Sequence, residues 1–279
     1  MKNISLDGKL FSKEIFEDLK IKFEKKSINQ KLAIVLVGNN PESITYCNLK
    51  EKKCKEINLP CKIFHFNEDI SQENLEIEIN KIANDSTFVG MMIQHPIPKH
   101  LNEQNCFNLI PVEKDVDGLS NNSLGLLAQG KELFLPATVL GIIKLLERYN
   151  IDVVSKKILI IGKSQIVGKP LALKLLNMGA TVTVAHSKTK NLNKMIKNYE
   201  IVCVAIGKPE FFKAKYFRKG QIIIDAGYNK GNIGDVDQSA YKKASFYTPV
   251  PGGVGPMTVA SLLYQTSIAI DKINKNDHK

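Results

Sequence analysis

The chain has 279 residues, enough for about two domains at roughly 150 residues each. At 43% hydrophobic and 24% charged residues it is not a disordered chain, a collagen-like fibre or a disulfide mini-scaffold, and no apolar run reaches the roughly 20 residues of a membrane helix. The formal charge of +11 raises a nucleic-acid partner, but only Arg148 and Arg218 are arginines, the lysines are scattered and no nucleic-acid motif is present; the charge reads as a solvated surface whose field can recruit small anions.

Along the chain, helical patterns fit 8–26, 41–57 and 72–83, and apolar runs bounded by turn residues read as strands over 32–37, 62–66 and 88–94. In the third helix Leu75, Ile79 and Ile82 form one apolar stripe. A loop-rich stretch, 111–136, separates this series from a second. There, helices fit 139–149, 167–177, 192–198 and 258–273, and strands fit 158–161, 181–185, 201–206, 221–225 and 245–247. Strand–helix alternation implies an α/β protein with parallel sheets covered by helices on both faces. The expected division is an N-terminal domain over 1–136 and a second domain over 137–279, with the final helix (about 258–279) able to pack back on the first.

The first sixteen residues contain no continuous apolar segment and no small-residue cleavage site, so no secretory signal is read. The five cysteines, Cys47, Cys54, Cys61, Cys106 and Cys203, are odd in number and include no CxxC pair, which fits reduced, mostly buried thiols in a cytoplasmic protein. The histidines show no metal-ligand spacing, and no metal is expected.

One lysine stands on the wrong side of its helix. Asn40-Pro41 is a good helix start, with a capping side chain followed by a proline tolerated at the first position. At about 100° per residue, Ser43, Tyr46, Cys47, Cys54 and Ile57 share a stripe about 100° wide, and Lys50 falls in its middle. A lysine that loses water there has a lowered pKa and suits proton transfer; the alternative is a side chain that snorkels to solvent. Tyr46, four residues earlier, lies alongside it.

The run Ile158-Leu-Ile-Ile-Gly-Lys-Ser-Gln-Ile-Val-Gly-Lys-Pro170 is a strand, a small-residue turn and a helix start. Gly162 and Gly168 match part of a dinucleotide fingerprint, while Ser164 stands at its middle glycine; the position suits a pyrophosphate, although any strand-to-helix turn favours small residues. The next strand ends in His186-Ser187-Lys188, without the acidic residue that binds ribose hydroxyls in NAD sites. A hydroxyl with nearby cations suits a 2′-phosphate instead, so the expected cofactor is NADP. In Lys114-Asp-Val-Asp-Gly118, Asp115 and Asp117 can form a turn or a hydrogen-bonding clamp, but calcium-loop spacing is lacking. Thr248-Pro-Val-Pro-Gly-Gly-Val-Gly-Pro-Met-Thr258 combines stiffening prolines with Gly252, Gly253 and Gly255 between a strand and a helix, a pattern that favours ligand contact.

Together these segments resemble the bifunctional methylenetetrahydrofolate dehydrogenase/cyclohydrolase family over essentially the whole chain. The matching pieces are VGNNPESITYCNLKEKKC (37–54), GMMIQHPIP (90–98), PVEKDVDGL (111–119), LPATVLGIIKLLERYNID (135–152), IGKSQIVGKPLALKLL (161–176), IIIDAGYN (222–229) and the highly specific YTPVPGGVGPMTVA (247–260). The resemblance implies an N-terminal α/β folate-binding lobe, a Rossmann-like parallel-sheet lobe for NADP and a folate cleft between them. It implies a homodimer that oxidises methylene-tetrahydrofolate to the methenyl compound and hydrolyses this to 10-formyl-tetrahydrofolate at one site. By resemblance Lys50 is the catalytic lysine, Tyr46 packs on the folate, Gln94 hydrogen-bonds the lysine, and Asp117 rather than Asp115 binds the pterin. Pro251, Gly252 and Gly253 fall on substrate-binding positions, and Gly162, Lys163, Ser164, Ile166, Ser187 and Tyr228 on cofactor-binding positions.

The chain departs from the family pattern in three places. His95 stands where relatives often have leucine, beside Gln94; Tyr228 replaces a smaller isoleucine; and Lys163 stands where some relatives have arginine, which loses bidentate phosphate contact. The competing readings are a dehydrogenase with little cyclohydrolase activity and a catalytically silent NADP- or nucleic-acid-binding protein. The intact set Lys50, Tyr46, Gln94 and Asp117 argues against silence.

Overall fold

The computed structural model describes residues 3–25 and 29–276, so position 26 of the first expected helix and 277–279 of the last lie outside the described residues. The chain forms two compact units. One joins Glu14–Leu135 with Leu262–Lys279, and the other joins Met1–Lys13 with Pro136–Ser261. The cuts fall inside helix α1 (Gly8–Glu24) and inside the last helix, α9 (Val254–Asn276).

The smaller sheet lies in the first of these units. It contains β2 (Lys31–Val37), β3 (Cys61–Phe66) and β4 (Phe88–Ile93), in the parallel order β3-β2-β4; the strand preceding them, β1 (Ile4–Ser5), belongs to the other sheet. Every residue of β2 after Lys31 is buried, the pattern of a central parallel strand covered on both faces. Ala33, Val35 and Val37 share a core with Leu75, Ile79 and Ile82 of α3 (Gln72–Asn84) and with Cys106 and Phe107 of α4 (Glu103–Asn108). Leu32, Ile34 and Leu36 alternate to the opposite face. The connection β2 to β3 is α2 (Pro41–Glu56), started by Asn40, whose side chain accepts from the amides of Glu42 and Ser43. Part of the stretch expected as loop is helical: α5 (Asn121–Ala128) is capped by Ser120, which accepts from Ser123 N. Its sequence, NNSLGLLA, carries two asparagines, a serine and a glycine, which conceal a helix whose cap and packing decide it.

The larger sheet is parallel throughout, in the order β1-β9-β8-β7-β5-β6. It is reached through α6 (Ala137–Arg148) and comprises β5 (Lys157–Ile161), β6 (Thr181–Ala185), β7 (Ile201–Val204), β8 (Ile222–Asp225) and β9 (Phe246–Tyr247), with α7 (Gly168–Asn177) between β5 and β6. The segment expected as one helix over 192–198 is a short α8 (Leu192–Met195) followed by a single 3-10 turn. The two-residue β1 is held by pairing of Ile4 and Ser5 with Phe246 and Tyr247. Leu159, Ile161, Val202, Val204 and Ile223 supply one face of the core, against Phe212, Phe217 and Tyr241. α9 starts at Val254, four residues before the expected position, because Pro256 falls within its first turn, where its missing N–H costs nothing. Among the described residues no helix is long and apolar enough to cross a membrane.

Candidate active site

In the three-stranded unit, the residues of interest gather at the carboxyl ends of the parallel strands, where open α/β sheets bind ligands. The buried stripe of α2 consists of Ser43, Cys47, Lys50 and Cys54, as the helical period requires. Lys50 does not snorkel: only 6% of it is exposed. Its ammonium nitrogen donates to Gln94 Oε1 at 2.7 Å, and Gln94, immediately after β4, is itself buried. Cys47 Sγ makes a longer contact of 3.8 Å to the same oxygen. Burial lowers the Lys50 pKa; the charge of Asp117 is the strongest influence opposing this. Tyr46 is half-buried on the neighbouring flank of the same helix.

The two aspartates of Lys114-Asp-Val-Asp-Gly118 separate cleanly. Asp115 is buried and spent on structure: its carboxylate accepts from Leu119 N at 3.3 Å, Ser120 N at 3.0 Å and the Ser123 hydroxyl at 2.6 Å. Asp117 is only partly buried and bears electrostatically on Lys50. The segment is tied to β4 by Met91 N donating to Lys114 O at 2.7 Å. On its other side Gln265 of α9 donates to Val116 O at 2.7 Å. Gln265 and Asp115 position this turn, yet neither was legible as such: one is a lone amide in an apolar helix and the other shares its motif with Asp117.

The six-stranded unit carries the strand–turn–helix. Gly162 has φ +130°, and a Cβ there would lie 2.2 Å from Ala205 O. A Cβ on Gly168 would lie 2.1 Å from Gly162 O, so turn and helix approach as closely as backbones can. Ser164 accepts from the amides of Val167 and Gly168 at 3.2 and 3.3 Å, which satisfies two donors at the start of α7. Lys163 and Ser164 are exposed and Ile166 half-buried. At the end of β6, His186 is folded back: its Nδ1 accepts from Lys188 N at 3.2 Å, and its own N–H donates to Thr189 Oγ1 at 2.9 Å. Ser187, Lys188 and Lys190 are left exposed beside no carboxylate of their own turn. An exposed hydroxyl with two cations suits a phosphate.

Tyr228 follows β8, is half-exposed, and donates from its hydroxyl to Asn232. Its loop rests on two fully buried acids. Asp225 accepts from the amides of Gly227, Asp235 and Val236 at 2.9, 3.1 and 2.9 Å. Asp235 accepts from the amides of Ile206, Gly207 and Lys208 at 2.6, 3.0 and 2.7 Å, and from the Asn229 side chain at 3.2 Å. Burial pushes the Asp225 carboxyl up to about 7, against the pull of its amide donors. In the same unit Gly252 has φ +108° and its carbonyl accepts from Lys9 N at 2.8 Å, while Gly253 N donates to Pro249 O at 2.7 Å. The loop is thus anchored from within, with Pro251 exposed at its tip and Gly253 buried. Among the described residues no group of histidines, cysteines or carboxylates could hold a metal ion.

Residues 6–117 match the family model of the tetrahydrofolate dehydrogenase/cyclohydrolase catalytic domain, and residues 136–274 match that of the same family's NAD(P)-binding domain. The bifunctional protein FolD of Leptospira biflexa is 45% identical over 270 residues, spanning 95% of this chain and 92% of that protein. The crystal structure of the bifunctional FolD enzyme of Campylobacter jejuni is 42% identical, with TM-score 0.92 over 96% of this chain and 98% of that one. The Trypanosoma brucei enzyme, solved with NADP cofactor and an inhibitor, is 27% identical, with TM-score 0.89 over 96% and 97% of the two chains.

Proposed function

The chain belongs to the tetrahydrofolate dehydrogenase/cyclohydrolase family, and from that premise we propose how its own residues carry the two reactions. The protein oxidises 5,10-methylenetetrahydrofolate to the methenyl compound with NADP and hydrolyses the methenyl bridge to 10-formyltetrahydrofolate. The observation that carries the residue assignment is the buried Lys50 amine held 2.7 Å from Gln94.

The residues present fit NADP. The Gly162 turn and the start of α7 supply a close backbone approach for a pyrophosphate, with Lys163, Ser164 and Ile166 around it. Ser187, with Lys188 beside it, takes the 2′-phosphate, and the Tyr228 loop borders the nicotinamide. Bound NADP supplies the hydride acceptor.

Tyr46 lies against the folate and Asp117 hydrogen-bonds the pterin, with Pro251, Gly252 and Gly253 as further folate contacts. Oxidation leaves a cationic methenyl bridge, which an ammonium would oppose. Burial favours the amine of Lys50, and Gln94 Oε1 aims its nitrogen. Nζ takes a proton from water as the water oxygen bonds the methenyl carbon. It returns the proton to the ring nitrogen as the carbon–nitrogen bond breaks, and the hydroxyl on that carbon releases its own proton to solvent as the formyl carbonyl forms. We assign folate binding chiefly to residues 1–136, with Pro251, Gly252 and Gly253 added from farther along the chain, and NADP binding to the rest of 137–279, and we place the protein in the cytoplasm as a homodimer; the free, buried thiols of Cys47, Cys54, Cys106 and Cys203 suit a reducing compartment.

The test is turnover of methylene-tetrahydrofolate with NADP and, separately, NAD, following NADPH, methenyl- and 10-formyl-tetrahydrofolate by chromatography. NADPH with enzyme-dependent 10-formyl product is expected. Accumulating methenyl compound would mean a dehydrogenase with little cyclohydrolase activity. Lys50→Met is expected to abolish hydrolysis while the NADP Kd stays within about twofold, since the two groups of residues belong to different units.

A further inference from the structure

We propose that Glu103 is a positioning residue for Lys50, acting through His95 and the side-chain amide of Gln94; this rests on the assignment of Lys50 above. The Gln94 amide can face Lys50 with either end. Presenting Oε1, it accepts a proton that both an amine and an ammonium can offer. Presenting Nε2, it would require the nitrogen lone pair, which only the amine has. The choice is made on the far side of the amide. Gln94 Nε2 donates to the main-chain carbonyl of His95 at 2.7 Å, and that carbonyl cannot pair with an amide oxygen. The position of one backbone carbonyl therefore decides which atom meets the lysine.

That carbonyl sits in the turn His95-Pro96-Ile97, and one carboxylate grips the turn from both sides. His95 Nδ1 lies 2.7 and 2.8 Å from the two oxygens of Glu103, so the ring proton sits on Nδ1 and is donated to the acid. Ile97 N donates to Glu103 Oε1 at 3.1 Å. Pro96, between them, has no N–H to contribute. Glu103 is in turn fixed in the first turn of α4, where Asn102 caps the helix and its own N–H donates to Gln72 Oε1 of α3 at 2.6 Å. A chain of contacts thus runs from α3 through Asn102, Glu103, His95 and Gln94 to Lys50. His95 is one of the three residues by which this chain departs from its family pattern, and the clamp gives that departure a use.

Releasing the clamp lets the amide turn and deprives the ammonium form of its acceptor, which disfavours a protonated Lys50. The other groups facing Lys50 are Asp117 and the thiols of Cys47, Cys54 and Cys61, and His95 faces Glu103; the first four remain in place when Glu103 is replaced. A change in the pH profile of hydrolysis therefore reads the clamp.

The experiment measures kcat and KM for methenyl hydrolysis against pH, with melting temperature, for Glu103→Ala, Glu103→Gln, His95→Leu and Lys50→Met. Glu103→Ala should lower kcat about tenfold with KM within about twofold. Its profile limb for protonation of the lysine should move to lower pH by about 0.5–1 unit. Glu103→Gln, which keeps an oxygen for Ile97 N, should recover part of the loss. If Glu103→Ala does not fold, Glu103→Gln should show a smaller loss of kcat and a smaller shift of the same limb in the same direction, with His95→Leu read beside it. Lys50→Met inactive but every clamp variant within twofold, with an unmoved profile, would overturn the proposal alone. Normal hydrolysis by Lys50→Met would overturn the assignment of Lys50 and this proposal together.

Discussion

Lys50 sits where water is nearly excluded, and its chemistry carries a thermodynamic cost. Its pKa is lowered in the folded chain, so between that value and the ordinary 10.5 the unfolded chain binds more protons than the folded one. The cost is present at neutral pH and disappears as pH rises towards 10.5. Lys50→Met should therefore raise stability by about 1–3 kcal/mol at pH 7, read as a higher melting temperature, with the gain shrinking in alkaline buffer. Asp225 behaves with the opposite sense. Its carboxyl moves from 3.8 up to about 7, so the stability it contributes as a neutral acid is full below pH 3.8 and lost as pH rises to 7. Asp225→Asn should flatten that part of the melting-temperature profile relative to the parent chain; an unchanged slope would show that Asp225 is already ionised in the fold.

At the level of the elements, the turn from β5 to α7 tolerates no side chain at its two glycines. Gly162→Ala and Gly168→Ala each place a methyl within about 2.2 Å of a carbonyl oxygen, so each should cost several kcal/mol and abolish NADP binding, measured by denaturant unfolding and by cofactor titration. Ser164→Ala leaves the backbone intact and removes only the acceptor of two amides, so a loss of about 1 kcal/mol is expected. Elements with strong periodicity were legible in the sequence: the α2 stripe placed Lys50 on the buried face because 3.6 residues per turn leave no other choice. Elements decided by distant partners were not. β1 is two residues long and exists through Phe246 and Tyr247, and α5 depends on the Ser120 cap within a run of weak helix formers. Likewise no spacing announces that Glu103 will meet His95 or that Asp235 will lie beside Asp225, because these contacts depend on how loops return to the sheet edges.

The whole molecule carries 39 basic against 28 acidic residues, and the groups assigned to NADP phosphates are exposed lysines and serines. Their attraction is open to screening, so the KM for NADP should rise with salt between about 0.05 and 0.5 M while the kcat of hydrolysis, set at a buried lysine, changes little. A salt-independent KM would show that local hydrogen bonds rather than the field hold the cofactor. The same excess of lysine gives the Asp225–Asp235 pair a different significance. Both acids draw most of their hydrogen bonds from peptide N–H groups, which every residue but proline possesses. The loop bearing Tyr228 is therefore insulated from drift in amino-acid usage: a lineage can exchange its surface towards lysine without disturbing it. A proline at Gly207, Lys208 or Val236 would break the loop where a reversal of surface charge would not.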